Sequence, residues 1–173
     1  MSMKIQVAGL SEGIHKYHFD TTAAELGLGQ EYSDGVSVDA TLDKTGNELL
    51  LKARIRAASN VVCDRCVTPI TESLNPSYQM YYVWDEPEAS RFDPSEVQVI
   101  PPGHSVIDLS EDVRQTILLA VPFKILCRSD CKGLCPRCGK NLNEGSCDCT
   151  DVTIDSRWDA LRSATTDDAD QHT

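Results

Sequence analysis

Apolar side chains fall on every second position in two successive stretches of the chain. Val36, Val38, Ala40 and Leu42 alternate with Ser37, Asp39, Thr41 and Asp43, the period of a strand with one buried face. Lys44-Thr45-Gly46-Asn47 then signals a turn. Leu49, Leu51, Ala53, Ile55 and Ala57 take up the alternation again, with Lys52, Arg54 and Arg56 on the opposite face. The two runs predict an antiparallel hairpin. A further strand follows from Tyr78, Met80, Tyr82 and Trp84. Shorter strands are predicted at Met3–Val7 and Ile14–Phe19, and a helical turn or loop over residues 21–30.

The acidic, proline-rich stretch 85–104 reads as a surface loop with a short strand at Val97–Ile100. A helix is predicted over residues 109–121, where Leu109, Val113, Ile117 and Ala120 share one stripe. Asp108 or Ser110 can cap it, Glu111 and Asp112 suit the positive end of its dipole, and Pro122 stops it. The fold class expected is α+β: an antiparallel sheet with a packed helix and a C-terminal cysteine-rich module. The divisions expected are a β-rich domain over 1–122, the cysteine-rich module with a short C-terminal helix over 123–162, and a polar, disordered tail over 163–173. No internal repeat is evident.

The chemistry lies in the eight cysteines, which fall as Cys63/Cys66, Cys127/Cys131, Cys135/Cys138 and Cys147/Cys149. Nothing at the N-terminus reads as a signal peptide and no apolar run approaches membrane-spanning length, so the expected setting is a soluble protein in the cytoplasm. Stable disulfides are rare there, and metal binding is the usual use of paired thiols. Cys135-Pro136-Arg137-Cys138-Gly139 has the form of a zinc knuckle. Two thiolates two residues apart reach one tetrahedral ion at Zn–S of about 2.3 Å when the backbone turns tightly between them. Gly139 permits that turn and Pro136 stiffens its entry.

Each of the other three pairs is a candidate second half for this knuckle. The arrangement that uses all eight thiols places Cys135, Cys138, Cys147 and Cys149 on one zinc ion. Cys63, Cys66, Cys127 and Cys131 then hold a second, tying the module to the sheet. Cys147-Asp148-Cys149 is an awkward spacing for two ligands. Cys63 and Cys66 also have the bland reading of two buried thiols. A redox pair fits less well, because Val67-Thr68-Pro69-Ile70-Thr71 reads as extended chain and not as the helix that would lower a thiol pKa.

Charge narrows the partners. The chain carries a formal net charge of −11, which opposes whole-surface binding to a phosphate backbone. Five basic residues stand against one acid between Phe123 and Lys140: Lys124, Arg128, Lys132, Arg137 and Lys140 against Asp130. From Asn141 onward eight acids face two arginines. The basic cluster is equally well suited to touching phosphate and to offsetting the net −2 of each tetrathiolate zinc centre. His15 and His18, three apart in extended chain, point to opposite faces, and His104 stands alone in a loop. No phosphate-binding glycine loop, nucleophile elbow or His-Glu-x-x-His occurs. All-cysteine zinc sites leave no open position for an activated water, so no enzymatic activity and no small-molecule substrate are expected.

The stretch from Leu126 to Cys149, with Cys127-Arg128-Ser129-Asp130-Cys131, Cys135-Pro136-Arg137-Cys138 and Cys147-Asp148-Cys149, closely resembles the YceD family, also called large ribosomal RNA subunit accumulation proteins. Upstream, Cys63-Asp64-Arg65-Cys66 after a long strand resembles the family's other hallmark. Downstream, Asp155-Ser156-Arg157-Trp158-Asp159-Ala160-Leu161 resembles a short element of its members. The likeness spans residues 35–162. It implies a bacterial or organellar factor for accumulation of 23S ribosomal RNA and large-subunit assembly. The partner expected is ribosomal RNA or a large-subunit ribosomal protein. The rival readings are a thiol-disulfide or zinc-transfer protein and a zinc-ribbon regulator of transcription.

Overall fold

The alternating stretches form long strands, and their length decides where the cysteines end up. A computed structural model describes residues 3–33, 35–149 and 157. The elements run β1 (Lys4–Gln6), β2 (Gly13–Thr22), β3 (Gly35–Thr45), β4 (Glu48–Val62), β5 (Pro69–Leu74), β6 (Ser77–Val83), α1 (Glu86–Ala89), β7 (Val97–Val99), β8 (Val106–Asp108) and α2 (Ser110–Ala120). The main sheet has the order β2-β3-β4-β6-β7, with β5 on β4, and β1 pairs with β8 in a separate two-stranded sheet.

The β3–β4 hairpin closes through Gly46 and Asn47, between the paired residues Thr45 and Glu48. Gly46 sits at φ +57°, where a side chain is disfavoured. The Glu12 carboxylate accepts from the Gly46 N–H and the Lys44 ammonium, each at 2.9 Å, and so braces the turn. β4 has two halves. Residues 49–54 pair with β6, and residues 57–62 pair with β5. The second half carries the strand's end to Cys63.

The inward residues Val36, Val38, Ala40, Leu42, Leu49, Leu51, Ala53 and Ile55 are almost fully buried. Their apolar surface is the main stabilising term of this unit. Leu109, Val113 and Ile117 join the same cluster at 0 % exposure each. Leu109 occupies the α2 N-cap position without a side-chain cap bond. Asp108 Oδ1 instead accepts from the Ser110 N–H at 3.0 Å.

Two expectations need correction. The architecture is mostly β, and its main sheet is mixed because β7 pairs parallel to β6. The acidic stretch after β6 supplies that strand, and a run of three residues carries no sign of its direction. The same stretch also holds α1, whose N-cap Asp85 accepts from the Glu88 N–H at 2.9 Å. Four residues are too few to show a helical period. Among the described residues no helix is long and apolar enough to cross a membrane.

The chain divides into two compact units, Met1–Cys131 and a second beginning at Lys132. The expected short C-terminal helix, apart from Arg157, and the expected disordered tail lie outside the described residues.

Candidate metal centres

The β4–β5 hairpin turns through the first cysteine pair. Val62 pairs with Pro69, and residues 63–68 form the loop between them. The Cys63 N–H donates to the Thr68 carbonyl at 2.9 Å, and the Val67 N–H donates back to the Cys63 carbonyl at 2.9 Å. The second pair arrives on the chain after α2. The Asp64 N–H donates to the Ile125 carbonyl at 2.8 Å, and Asp64 Oδ2 accepts from the Ile125 N–H at 2.6 Å. Arg65 Nη1 donates to the Cys131 carbonyl at 2.8 Å, and Leu126 packs on the cysteines. The result brings Cys63, Cys66, Cys127 and Cys131 together, all four sulfurs within 4.8 Å of one another. Cys63, Cys66 and Cys131 are buried, and Cys127 lies nearer the surface.

The second unit repeats the device in a smaller hairpin. Leu134 and Asn141 pair, the Cys135 N–H donates to the Lys140 carbonyl at 2.8 Å, and the Gly139 N–H donates to the Cys135 carbonyl at 3.0 Å. Cys135, Cys138, Cys147 and Cys149 again place four sulfurs within 4.8 Å. Asn141 and Asn143 hold the turn that follows. Asn141 Oδ1 accepts from the Asn143 N–H and Nδ2, and Asn143 Oδ1 accepts from the Lys132 N–H at 2.8 Å.

The two loops, Cys63-Asp64-Arg65-Cys66-Val67-Thr68 and Cys135-Pro136-Arg137-Cys138-Gly139-Lys140, share one hydrogen-bond pattern and one backbone feature. The fifth residue is left-handed in each, Val67 at φ +59° and Gly139 at φ +72°. Six residues are too few to register as a sequence repeat, which is why none was legible. Glycine takes this conformation freely, whereas for a β-branched residue it costs about 1–2 kcal/mol. Val67 is 57 % exposed, so its side chain contributes little packing in return. Val67→Gly is therefore expected to stabilise the β-rich unit by about 0.5–1 kcal/mol after glycine's own entropic cost. A melting temperature about 2–4 °C higher would register it; a lower one would show that the valine packs in its loop.

The electrostatics of both groups ask for a cation. Backbone N–H groups of Cys127, Arg65 and Cys66 point at the Cys63 sulfur and hold its thiol down to about 6. The Thr68 hydroxyl, 3.2 Å away, lowers Cys66 as well. Burial, together with the thiols of Cys66, Cys131 and Cys63, pushes Cys127 up to about 12. In the second group the N–H groups of Cys138 and Arg137 and the Cys147 thiol hold Cys135 down to about 6. The neighbouring Cys138 thiol and burial push Cys149 up to about 12. Four sulfurs this close cannot all ionise unaided, and a dication at their centre would remove the conflict.

The spacing fits such an ion. Cys63 Sγ lies 3.8 Å from Cys131 Sγ, and Cys66 Sγ lies 3.6 Å from Cys127 Sγ. A tetrahedron with metal–sulfur bonds of about 2.3 Å has edges of about 3.8 Å. A disulfide would need sulfurs about 2.05 Å apart.

The five cations named from the sequence are divided between the units: Lys124 and Arg128 belong to the first, and Lys132, Arg137 and Lys140 to the second. Two of them hold local structure. Arg128 Nε pairs with Asp130 at 3.3 Å, and Lys140 Nζ donates to the Ser146 carbonyl at 2.6 Å. Lys124, Lys132 and Arg137 are exposed. Sequence reasoning missed the bracing of the first site by Asp64, Arg65 and Thr68. Arg65 and Arg137 hold the same place in their knuckles, and that shared Cys-x-Arg-Cys was the available signal.

A mostly β unit with a tetracysteine group at its hairpin tip, followed by a small hairpin unit with a second such group, defines a class of cysteine-rich protein with two metal-competent sites. The family described as "Large ribosomal RNA subunit accumulation protein YceD" matches residues 51–163, more than half of the chain, and the chain belongs to it. Among curated proteins, the chain is 26% identical over 147 residues to the "Large ribosomal RNA subunit accumulation protein YCED homolog 1, chloroplastic" of Arabidopsis thaliana, covering 69% of this chain and 46% of the relative. The Zea mays protein of the same name is 26% identical over 164 residues, covering 73% and 55%. An uncharacterized protein of Mycobacterium leprae is 26% identical over 115 residues, covering 65% and 51%. The chain thus spans about half the length of these relatives. No solved structure matches it.

Proposed function

We propose that this chain is a non-enzymatic factor that supports accumulation of 23S ribosomal RNA, and so of the large ribosomal subunit, and that its two tetracysteine groups hold structural zinc. Membership of the family carries the process. The metal rests on two groups of four sulfurs, each within 4.8 Å. That spacing suits a single ion better than an iron–sulfur cluster, whose cysteines surround several atoms. Thiolate ligands select soft or borderline metals, and zinc is the usual ion of a closed Cys₄ site. Four protein ligands leave no position for a reacting water, so the sites support shape and not turnover.

In growing cells that produce the chain naturally, the tagged protein is expected to co-sediment with large-subunit precursors. Its depletion should lower the ratio of large-subunit to small-subunit ribosomal RNA at least twofold. An unchanged ratio together with no co-sedimentation would remove the ribosomal reading and return attention to zinc transfer or transcription.

A further inference from the structure

One part of the solvent face of the main sheet, away from the β3–β4 turn, carries a charge opposite to that of the chain. Along β4 the outward residues Lys52, Arg54 and Arg56 are each exposed and spaced about 6.7 Å apart by the strand rise, while Leu50 and Glu48 continue the face toward the turn beside Asp43. The pairing sets them in rows across the sheet. Lys16, Thr41, Lys52 and Gln79 form one row; His18, Asp39, Arg54 and Ser77 form the next; Asp20, Ser37 and Arg56 form the third. These rows hold four Lys and Arg residues against two aspartates, on a chain whose net charge is −11.

The two aspartates are already engaged. Asp39 takes His18 Nδ1 at 2.6 Å and Arg56 Nη1 at 2.8 Å, and Asp20 takes His18 Nε2 at 3.2 Å. Among the described residues, Lys16, Lys52 and Arg54 have no ion-pair partner. They border a trough of about 740 Å³ that crosses the face.

We infer that this face binds the phosphate backbone of double-stranded RNA, a proposal that rests on the ribosomal reading above and supplies its contact surface. Charge complementarity selects a polyanion. The arrangement selects the kind. Cations repeat at regular steps, with the hydroxyls of Ser37, Thr41 and Ser77 and the Gln79 amide between them, all donors suited to phosphate oxygens. The three rows contain no Phe, Tyr or Trp; the apolar side chains of this face, Ile14, Leu50 and Tyr81, lie in the next row with Asp43, toward the turn and off the basic patch. A protein interface would place aromatic or aliphatic anchors at its centre, and a single-strand binder would place stacking rings there. Cations and hydroxyls without rings suit recognition of a helical backbone by shape, largely independent of sequence.

The test uses the full chain and a fluorescently labelled RNA duplex, with anisotropy titrations over a range of salt. The comparison is the triple variant Lys16→Gln, Lys52→Gln, Arg54→Gln. All three side chains are exposed, so the fold has no reason to change, and a circular dichroism melt checks it. Wild-type binding should weaken with salt, and the variant should bind tenfold or more weakly. Its slope of log affinity on log salt should flatten by about 0.9 per lost contact.

A second variant, Lys124→Gln, Lys132→Gln, Arg137→Gln, is expected to bind as wild type does. If that variant loses binding while the sheet variant keeps it, the sheet face is the wrong surface and the ribosomal role stands. If wild-type protein binds no duplex but co-sediments with large-subunit precursors, the surface proposal falls alone. If it does neither, both proposals fall.

Discussion

Stripping the ion from the second unit is expected to abolish its ordered structure over residues 132–149 while the main sheet persists. The reason is its lack of a core. Among the described residues of this unit, Cys135 is the one buried hydrophobic side chain, and Leu134 is 36 % exposed. A single antiparallel bridge between Leu134 and Asn141 and an asparagine cluster do not offset the chain entropy of ordering such a segment. A structural zinc ion contributes on the order of 10–16 kcal/mol of apparent binding free energy at neutral pH, enough to decide whether it folds. The β-rich unit holds a continuous cluster of buried aliphatic residues from Met3 to Ile117 that owes nothing to the metal. Amide spectra recorded before and after chelation would show dispersed signals collapsing for 132–149 and surviving for β2, β3 and β4. Dispersion retained at 132–149 in protein proven metal-free would refute the idea.

The second large effect is a pattern of loss. Cys63→Ser and Cys127→Ser are each expected to remove one of two zinc ions, and the double variant to remove no more than either alone, because both sulfurs belong to one group of four. Cys135→Ser should remove the other ion. Combining it with Cys63→Ser should leave none. Non-additivity within a group and additivity between groups is the behaviour of residues that act as a unit and of residues that do not. Elemental analysis of the purified variants reads it directly. A Cys63→Ser, Cys127→Ser double variant that has lost two ions would show that those thiols serve different sites.

Much of the β-rich unit was legible because period-two patterning is strong where one face is buried, as at Val36–Leu42 and Leu49–Ala57. Both long strands extend beyond those runs, and β4 reaches Val62 because its second half pairs with β5. The polar and proline-containing β5, the three-residue β8 and the four-residue α1 are set by partners and caps, which a local pattern does not display. The direction of β7 is tertiary information of the same kind.

In the metal centres, spacing revealed chelating pairs but not what positions them. Nothing in Val67 announces a left-handed residue, since valine is a poor choice for one, whereas Gly139 announces it plainly. The basic face is the clearest oversight. Lys52, Arg54 and Arg56 were visible as the outward side of one strand, but their meaning emerges only when β2 and β6 flank them with Lys16 and Gln79.

The two metal groups differ in how much chain each must close. Cys63 and Cys131 are 68 residues apart, whereas Cys135 and Cys149 stand 14 apart. Ring closure over the longer span costs about 1.4 kcal/mol more by the logarithmic dependence on loop length. It also requires β4, β5 and the chain after α2 to have met. During synthesis the short ring could capture an ion within the time its own residues take to emerge. The long ring has to wait for the sheet, so an ion bound there would arrive as a lock on a finished unit and not as the seed of one.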